Sequence, residues 1–134
     1  MPRLMNKVVL DTSAVLAYLF GETGAGNVYQ ILEAGLGLMS SVTYAELVGK
    51  LFDQGMPAEV IRETLFNVEI EIIDYDEALA FETGALRIIS KAFGLSLGDR
   101  ACLALAVNLK LPVMTADRIW LNVPVQTEVH VIRG

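Results

Sequence analysis

Short apolar runs, each closed by a polar turn and followed by a helical pattern, recur along this chain and restrict its fold more than any other feature. Val8-Val9-Leu10 stops at Asp11-Thr12-Ser13, and Ala14 to Phe20 then reads as a helix capped by one of those polar residues. Asn27 to Ala34 is helical again, and Leu36 to Met39 is a short strand bounded by Gly35 and Ser40. A helix opening after Ser40-Ser41 runs to about Gln54 and stops at Gly55; Pro57 suits the first turn of the next, which continues through Phe66. Glu69 to Ile73 alternates as a strand, and Asp74, Asp76 and Glu77 load the start of a helix predicted to reach Phe93, where Gly94 ends it. Ser96-Leu97-Gly98-Asp99 opens another helix whose interior, Ala101 to Val107, is apolar at every position and so calls for burial on nearly all sides. Pro112-Val113-Met114 is a short strand, and Val129 to Ile132 supplies a possible last one. Strands alternating with helices imply a three-layer α/β/α domain with a mostly parallel central sheet, and no linker, repeat or low-complexity segment divides residues 1–134.

A chain of 134 residues can bury enough surface to fold without disulfides or structural zinc. Cys102 is the only cysteine and His130 the only histidine, which excludes the usual zinc spacings and favours a reducing cytoplasm; any metal must be held by oxygen. The basic stretch from Met1 to Lys7, with Arg3, leads into apolar sequence broken by Asp11, Thr12 and Ser13, unlike a signal peptide. No run reaches the roughly 20 apolar residues needed to span a bilayer. The mean hydropathy of +0.50 is nevertheless high for a small soluble domain, which suggests apolar surface covered by another subunit or partner.

The first strand-to-helix turn carries Asp11-Thr12-Ser13 where a nucleotide-binding fold would place glycines, and a carboxylate there would repel the phosphate such a turn cradles. Gly24-Ala25-Gly26 and Gly35-Leu36-Gly37 are isolated pairs, better read as turn glycines. A serine hydrolase would need a G-x-S-x-G before a helix, which is absent. What remains is carboxylates at element ends. In a parallel sheet the strand C-termini share one edge, so Asp11 and Asp117 can converge there, and Asp99 shares a helix face with Cys102, Leu103 and Ala106 at a core boundary. Clustered carboxylates disfavour one another's ionisation, and Mg2+ or Mn2+ relieves that repulsion through oxygen ligands.

Each acid also has an ordinary structural role open to it. Asp11 could cap a helix, Ser96 and Asp99 have capping-box spacing, and Asp117 could be a turn residue. Glu46 projects away from the apolar stripe of Tyr44, Leu47, Val48 and Leu51, four residues before Lys50, so an exposed ion pair is the expectation from periodicity. His130, between Val129 and Val131, reads as a strand residue, and Trp120 as packing.

Four motifs together resemble the PIN-domain ribonucleases, in particular VapC-type toxins of toxin–antitoxin pairs. They are Val8-Val9-Leu10-Asp11-Thr12-Ser13-Ala14, Ser41-Val42-Thr43-Tyr44-Ala45-Glu46-Leu47, Leu95-Ser96-Leu97-Gly98-Asp99 through Ala106, and Thr115-Ala116-Asp117-Arg118-Ile119-Trp120. The resemblance covers nearly the whole chain. It implies that Asp11, Glu46, Asp99 and Asp117 form an acidic, metal-holding catalytic quartet, and it moves Glu46 from the surface to the site. Ser13 and Thr115 fall where similar proteins line the site. Arg100 and Arg118, each following a quartet aspartate, are candidate phosphate contacts.

The activity this implies is divalent-metal-dependent RNA hydrolysis in the cytoplasm, by in-line attack of an activated water, leaving 5′-phosphate and 3′-hydroxyl ends. An acidic chain should repel RNA, but setting the quartet aside leaves 12 acids against 10 basic residues, so the objection becomes a requirement for metal. The resemblance further implies a homodimer and a VapB-type antitoxin, with apolar helices between Val42 and Phe66 as a docking surface. The alternatives are a Mg2+-dependent phosphatase or receiver-like domain, or a noncatalytic interaction domain of the same fold. Position 13 is Ser where the phosphatase pattern places a second aspartate, and a receiver would carry neighbouring acids before its phosphoacceptor strand.

Overall fold

Alternation within three-residue strands sorts the core into two halves. In the computed structural model, which describes residues 6–133, the first strand, β1 (Val8–Leu10), is wholly buried. Val8 and Leu10 point to one face of the sheet, where they join Ala14, Val15, Val28, Ile31, Leu47, Leu51, Ile61 and Leu65. Val9 points to the other, against Leu79, Cys102, Leu103, Leu105, Ala106 and Trp120. A strand covered on both faces must be apolar throughout, which is why β1 reads as a continuous run. Arg3, part of the basic N-terminal stretch, lies outside the described residues.

The elements supplying the first face are α1 (Thr12–Leu19), α2 (Ala25–Glu33), α3 (Ser41–Asp53) and α4 (Ala58–Val68); the second face is covered by α5 (Glu77–Ala85) and the later α7 (Leu97–Leu109). The remaining strands are β2 (Gly37–Ser40), β3 (Glu71–Ile73), β4 (Val113–Thr115) and β5 (Val129–Val131). All five pair in parallel in the order β3-β2-β1-β4-β5. The expected three-layer arrangement is present, and the sheet is parallel throughout its described strands rather than mostly so.

Chain order runs outward from β1 through β2 to β3, then returns to the other side of β1 for β4 and β5. The reversal opens a crevice beyond the C-terminal ends of β1 and β4, the position at which open parallel sheets bind ligands. Leu10 pairs with Met114, and the Asp11 amide donates to the Met114 carbonyl at 3.0 Å, which puts Asp11 opposite Thr115.

Two boundaries differ from the sequence reading. The helix expected from Glu77 to Phe93 is interrupted: α5 ends at Ala85, α6 covers Arg87–Ser90, and a 3₁₀ turn takes Lys91–Phe93. Gly84 and the β-branched pair Ile88-Ile89 weaken these last turns, and Gly94, at φ 67°, closes them. The strand expected from Glu69 begins only at Glu71, because Glu69 takes a left-handed conformation, φ 58°, in terminating α4. The apolar run of α7 is buried from Ala101 to Ala106, as its composition requires. Among the described residues no helix is long and apolar enough to cross a membrane.

Candidate active site

Asp11 occupies the N-cap position of α1, yet its side chain makes no cap hydrogen bond. Its Oδ2 instead accepts from the Ser13 hydroxyl at 2.7 Å and from the Thr115 hydroxyl at 3.0 Å. Each hydroxyl is itself oriented by a backbone amide: Ala116 N–H donates to Ser13 Oγ at 2.9 Å, and Asp117 N–H to Thr115 Oγ1 at 3.1 Å. The ends of β1 and β4 are thus tied together through one carboxylate oxygen. Asp11 is only 4% exposed, and burial raises its pKa above the ordinary carboxylate value. The negative charge of Asp99 pushes the same way, against the opposing hydrogen bonds from Ser13, Thr115 and the Thr12 amide.

Glu46 is where the structure departs from helical periodicity. It is half-buried rather than exposed, and the pKa of its carboxyl is also raised, by burial first and then by the charges of Asp99 and Asp11; Lys50 and the nearby Thr12 side chain oppose these more weakly. Its surroundings come from other elements. The carboxyl lies against Gly98 at the start of α7. Thr12, 3% exposed, donates from its hydroxyl to the Thr43 carbonyl at 3.3 Å and so ties the start of α1 to the turn of α3 that carries Glu46. Sequence reading treated Thr12 as capping polarity and assigned Gly98 no role.

Asp99 does two things at once. Its Oδ2 accepts from the Ser96 amide at 3.0 Å while Ser96 Oγ accepts from the Asp99 amide at 3.1 Å, a complete capping box. Its charge is nevertheless felt by both Asp11 and Glu46. Asp117 is exposed, caps the 3₁₀ turn Arg118–Asn122 by accepting from the Ile119 amide at 3.0 Å, and connects to Asp11 through Thr115. Three of the four acids therefore interact electrostatically, while the fourth stands at the adjoining strand end.

Arg100 is held from a different element. Arg100 Nη1 donates to the Thr83 carbonyl at 3.2 Å and so joins α7 to α5, while its buried Nε has no hydrogen-bond partner among the described residues. Adjacent helical residues diverge by about 100°, which is why following Asp99 in sequence does not place Arg100 on the same face. Arg118 is exposed at the start of its 3₁₀ turn. His130 lies on β5, 3.2 Å from Glu128 in an exposed pair, and Trp120 is buried in the core, both as expected. Cys102, buried behind the acids, has its thiol held protonated, by burial first and then by Asp11, Asp99 and Glu46.

Among the described residues, no three acidic, histidine or cysteine side chains approach closely enough to cage a metal ion by themselves. The donor set still fits a hard divalent cation: oxygen donors only, a desolvated carboxylate at its centre, and mutual repulsion that a cation relieves. Mg2+ commonly binds through one or two carboxylates and keeps several waters, a demand this arrangement can meet.

Comparison with known proteins agrees with this topology. Solved structures of similar fold include the DNA-bound VapBC of Salmonella typhimurium, 20% identical over 96% of this chain and 99% of that one, with TM-score 0.69. A toxin–antitoxin complex from Klebsiella pneumoniae is 26% identical over 88% and 93% of the two chains, TM-score 0.64. VapBC2 of Rickettsia felis, bound to a fragment of promoter DNA, is 19% identical over 91% and 96%, TM-score 0.66. No curated protein matches the sequence. The PIN domain model matches residues 8–126, nearly the whole described chain, and the protein belongs to the PIN domain family.

Proposed function

We propose that this chain is a divalent-metal-dependent endoribonuclease and the toxin of a VapBC-type pair. The observation that carries this reading is Asp11: a buried carboxylate at a helix N-terminus that makes no side-chain cap hydrogen bond, is fixed by two hydroxyls, and feels the charge of Asp99, as Glu46 feels the charges of both. A carboxylate kept in that condition at a stability cost is suited to holding something other than its own helix.

Asp11, Glu46, Asp99 and Asp117 would hold Mg2+ or Mn2+, and the bound ion would supply Lewis-acid stabilisation of phosphoryl charge and a water of lowered pKa. The protein's own contribution is orientation and charge. Ser13 and Thr115 fix the Asp11 carboxylate, Thr12 braces the turn carrying Glu46, and the Ser96–Asp99 box fixes the start of α7. The Cys102 thiol, held neutral in the core, is no nucleophile.

A partner is supported by the neighbours, which are toxin–antitoxin assemblies, and by exposed apolar surface. Phe66 is 81% exposed beside a groove that includes Tyr44, Leu47, Leu65 and Arg62, within the helices expected to receive an antitoxin. On a separate stretch, Phe81 and Ile88 are 78% and 85% exposed, surface available to a second copy of the chain.

The test is incubation of cellular RNA with purified protein in Mn2+ or in chelator, followed by mapping of both new ends. Cleavage confined to metal, carrying 5′-phosphates and lost in Asp99→Asn, is the expected result. Cyclic phosphate ends, or cleavage unaffected by chelator, would refute the mechanism.

A further inference from the structure

The described helices contain four glycines, and one differs from the rest. A Cβ added at Gly26, Gly49 or Gly84 would meet open space, whereas at Gly98 it would collide with Cδ and both carboxyl oxygens of Glu46. Gly98 is not among the residues with positive φ, so its backbone does not call for glycine, and glycine is among the poorest helix formers. The residue is buried although its neighbour Leu97 is 57% exposed. What covers it is the carboxyl group of an acid on another helix.

We infer that Gly98 is a positioning residue, whose missing side chain leaves the space in which Glu46 brings its carboxylate up to Asp11 and Asp99. This rests on the reading that Glu46 belongs to the metal site. The long side chain of Glu46 can yield where a backbone could not, so Gly98→Ala leaves the fold standing and displaces the carboxylate. Solvent is at hand for the half-exposed side chain, and Lys50, one turn along α3, already attracts it. The substitution therefore acts on Glu46 through space alone.

A double-substitution cycle separates this from an ordinary packing role. Thermal unfolding and Mn2+ affinity by calorimetry are measured for the wild type, Gly98→Ala, Glu46→Ala and the double variant. Gly98→Ala is expected to weaken Mn2+ binding about as much as Glu46→Ala, by about 10–100-fold, the range for residues that orient ligands. The double variant should be no weaker than either single one. In the Glu46→Ala background the collision is gone and only the gain in helix propensity remains, so Gly98→Ala should raise Tm by more there than in the wild type. Losses of affinity that multiply in the double variant would overturn the inference, as would wild-type Mn2+ affinity in Gly98→Ala beside weakened binding in Glu46→Ala. If Glu46→Ala leaves Mn2+ binding and RNA cleavage untouched, the metal reading of Glu46 fails, and Tm decides the steric claim: equal shifts in both backgrounds refute it and a larger shift without Glu46 sustains it. Should Gly98→Ala alone not fold, the double variant must fold, and an unfolded double variant is a refutation.

Discussion

Asp11 and Asp76 hold the same place in the local grammar of the chain and do different things. Both follow a strand of the parallel sheet, both have extended backbone, and both stand at the N-cap of the next helix. Asp76 is exposed at the sheet edge, beyond β3, and its Oδ1 accepts from the Leu79 amide at 2.9 Å. Asp11 is buried at the centre of the sheet, where strand order reverses, and its carboxylate makes no side-chain cap hydrogen bond but accepts from the Ser13 and Thr115 hydroxyls. An N-cap aspartate contributes about 1 kcal/mol to its helix. Asp11 forgoes that contribution while burying its charge, as the proposed metal role would require, and the contrast can be tested residue by residue.

Replacing the charge at Asp11 should have the largest effect. Asp11→Asn keeps the shape but removes the charge that would hold metal; losing several kcal/mol of electrostatic stabilisation corresponds to about 10³-fold or more in cleavage rate. The same variant should melt at a higher temperature than the metal-free wild type, because an ionised, desolvated carboxylate beside Asp99 is gone. A paired cleavage assay and melting curve checks both. Lost activity with lowered stability would mean that Asp11 is structural like Asp76.

Thr115→Val comes next. It removes one donor to Asp11 Oδ2 and the acceptor of the Asp117 amide, while the fully buried position retains its volume. Cleavage should fall by about 10–100-fold, the usual cost of disturbing a group that orients a ligand. Asp76→Ala is the control on the other side: about 1 kcal/mol of stability lost in denaturant melts, with Mn2+ affinity and cleavage unchanged.

The contrast also shows what sequence can and cannot carry. Buried parallel strands are short continuous apolar runs, so the layer order was legible from Val8-Val9-Leu10 and its successors, and the all-apolar stretch of α7 announced a helix covered on every side. Asp11 was singled out by what its turn lacks. Periodicity failed at Glu46 because a helical wheel contains only its own helix, whereas the surface burying this side chain belongs to Gly98 on α7 and Thr12 on α1. A glycine in the first turn of a helix, where better helix formers are the ordinary choice, was the available signal. Asp99 could not be sorted from sequence because closing a capping box does not stop its charge from reaching Asp11. The bond from Arg100 to Thr83 was not legible either, since it depends on how α5 packs.

The smallest effect is a slope against pH, and it separates the two aspartates most cleanly. Burial and Asp99 raise the Asp11 pKa in the folded protein above its unfolded value of about 3.9. Between those two values the folded state holds a proton that the unfolded state has released, so metal-free stability falls as pH rises through that window. Glu46 adds to the slope with the same sign, its pKa being raised by burial and by Asp99 and Asp11. Asp11→Asn should therefore flatten the dependence, whereas Asp76→Ala should leave the contribution of Asp11 and Glu46 to it intact. Excess Mn2+ reverses the sign, because the cation binds the deprotonated carboxylates and competes with protons, so the metal-loaded protein gains stability as pH rises through the same window. Denaturant melts across that range, with and without Mn2+, supply the check; a slope carried equally by Asp76→Ala and Asp11→Asn would show that burial at the sheet centre does not set the charge state of Asp11.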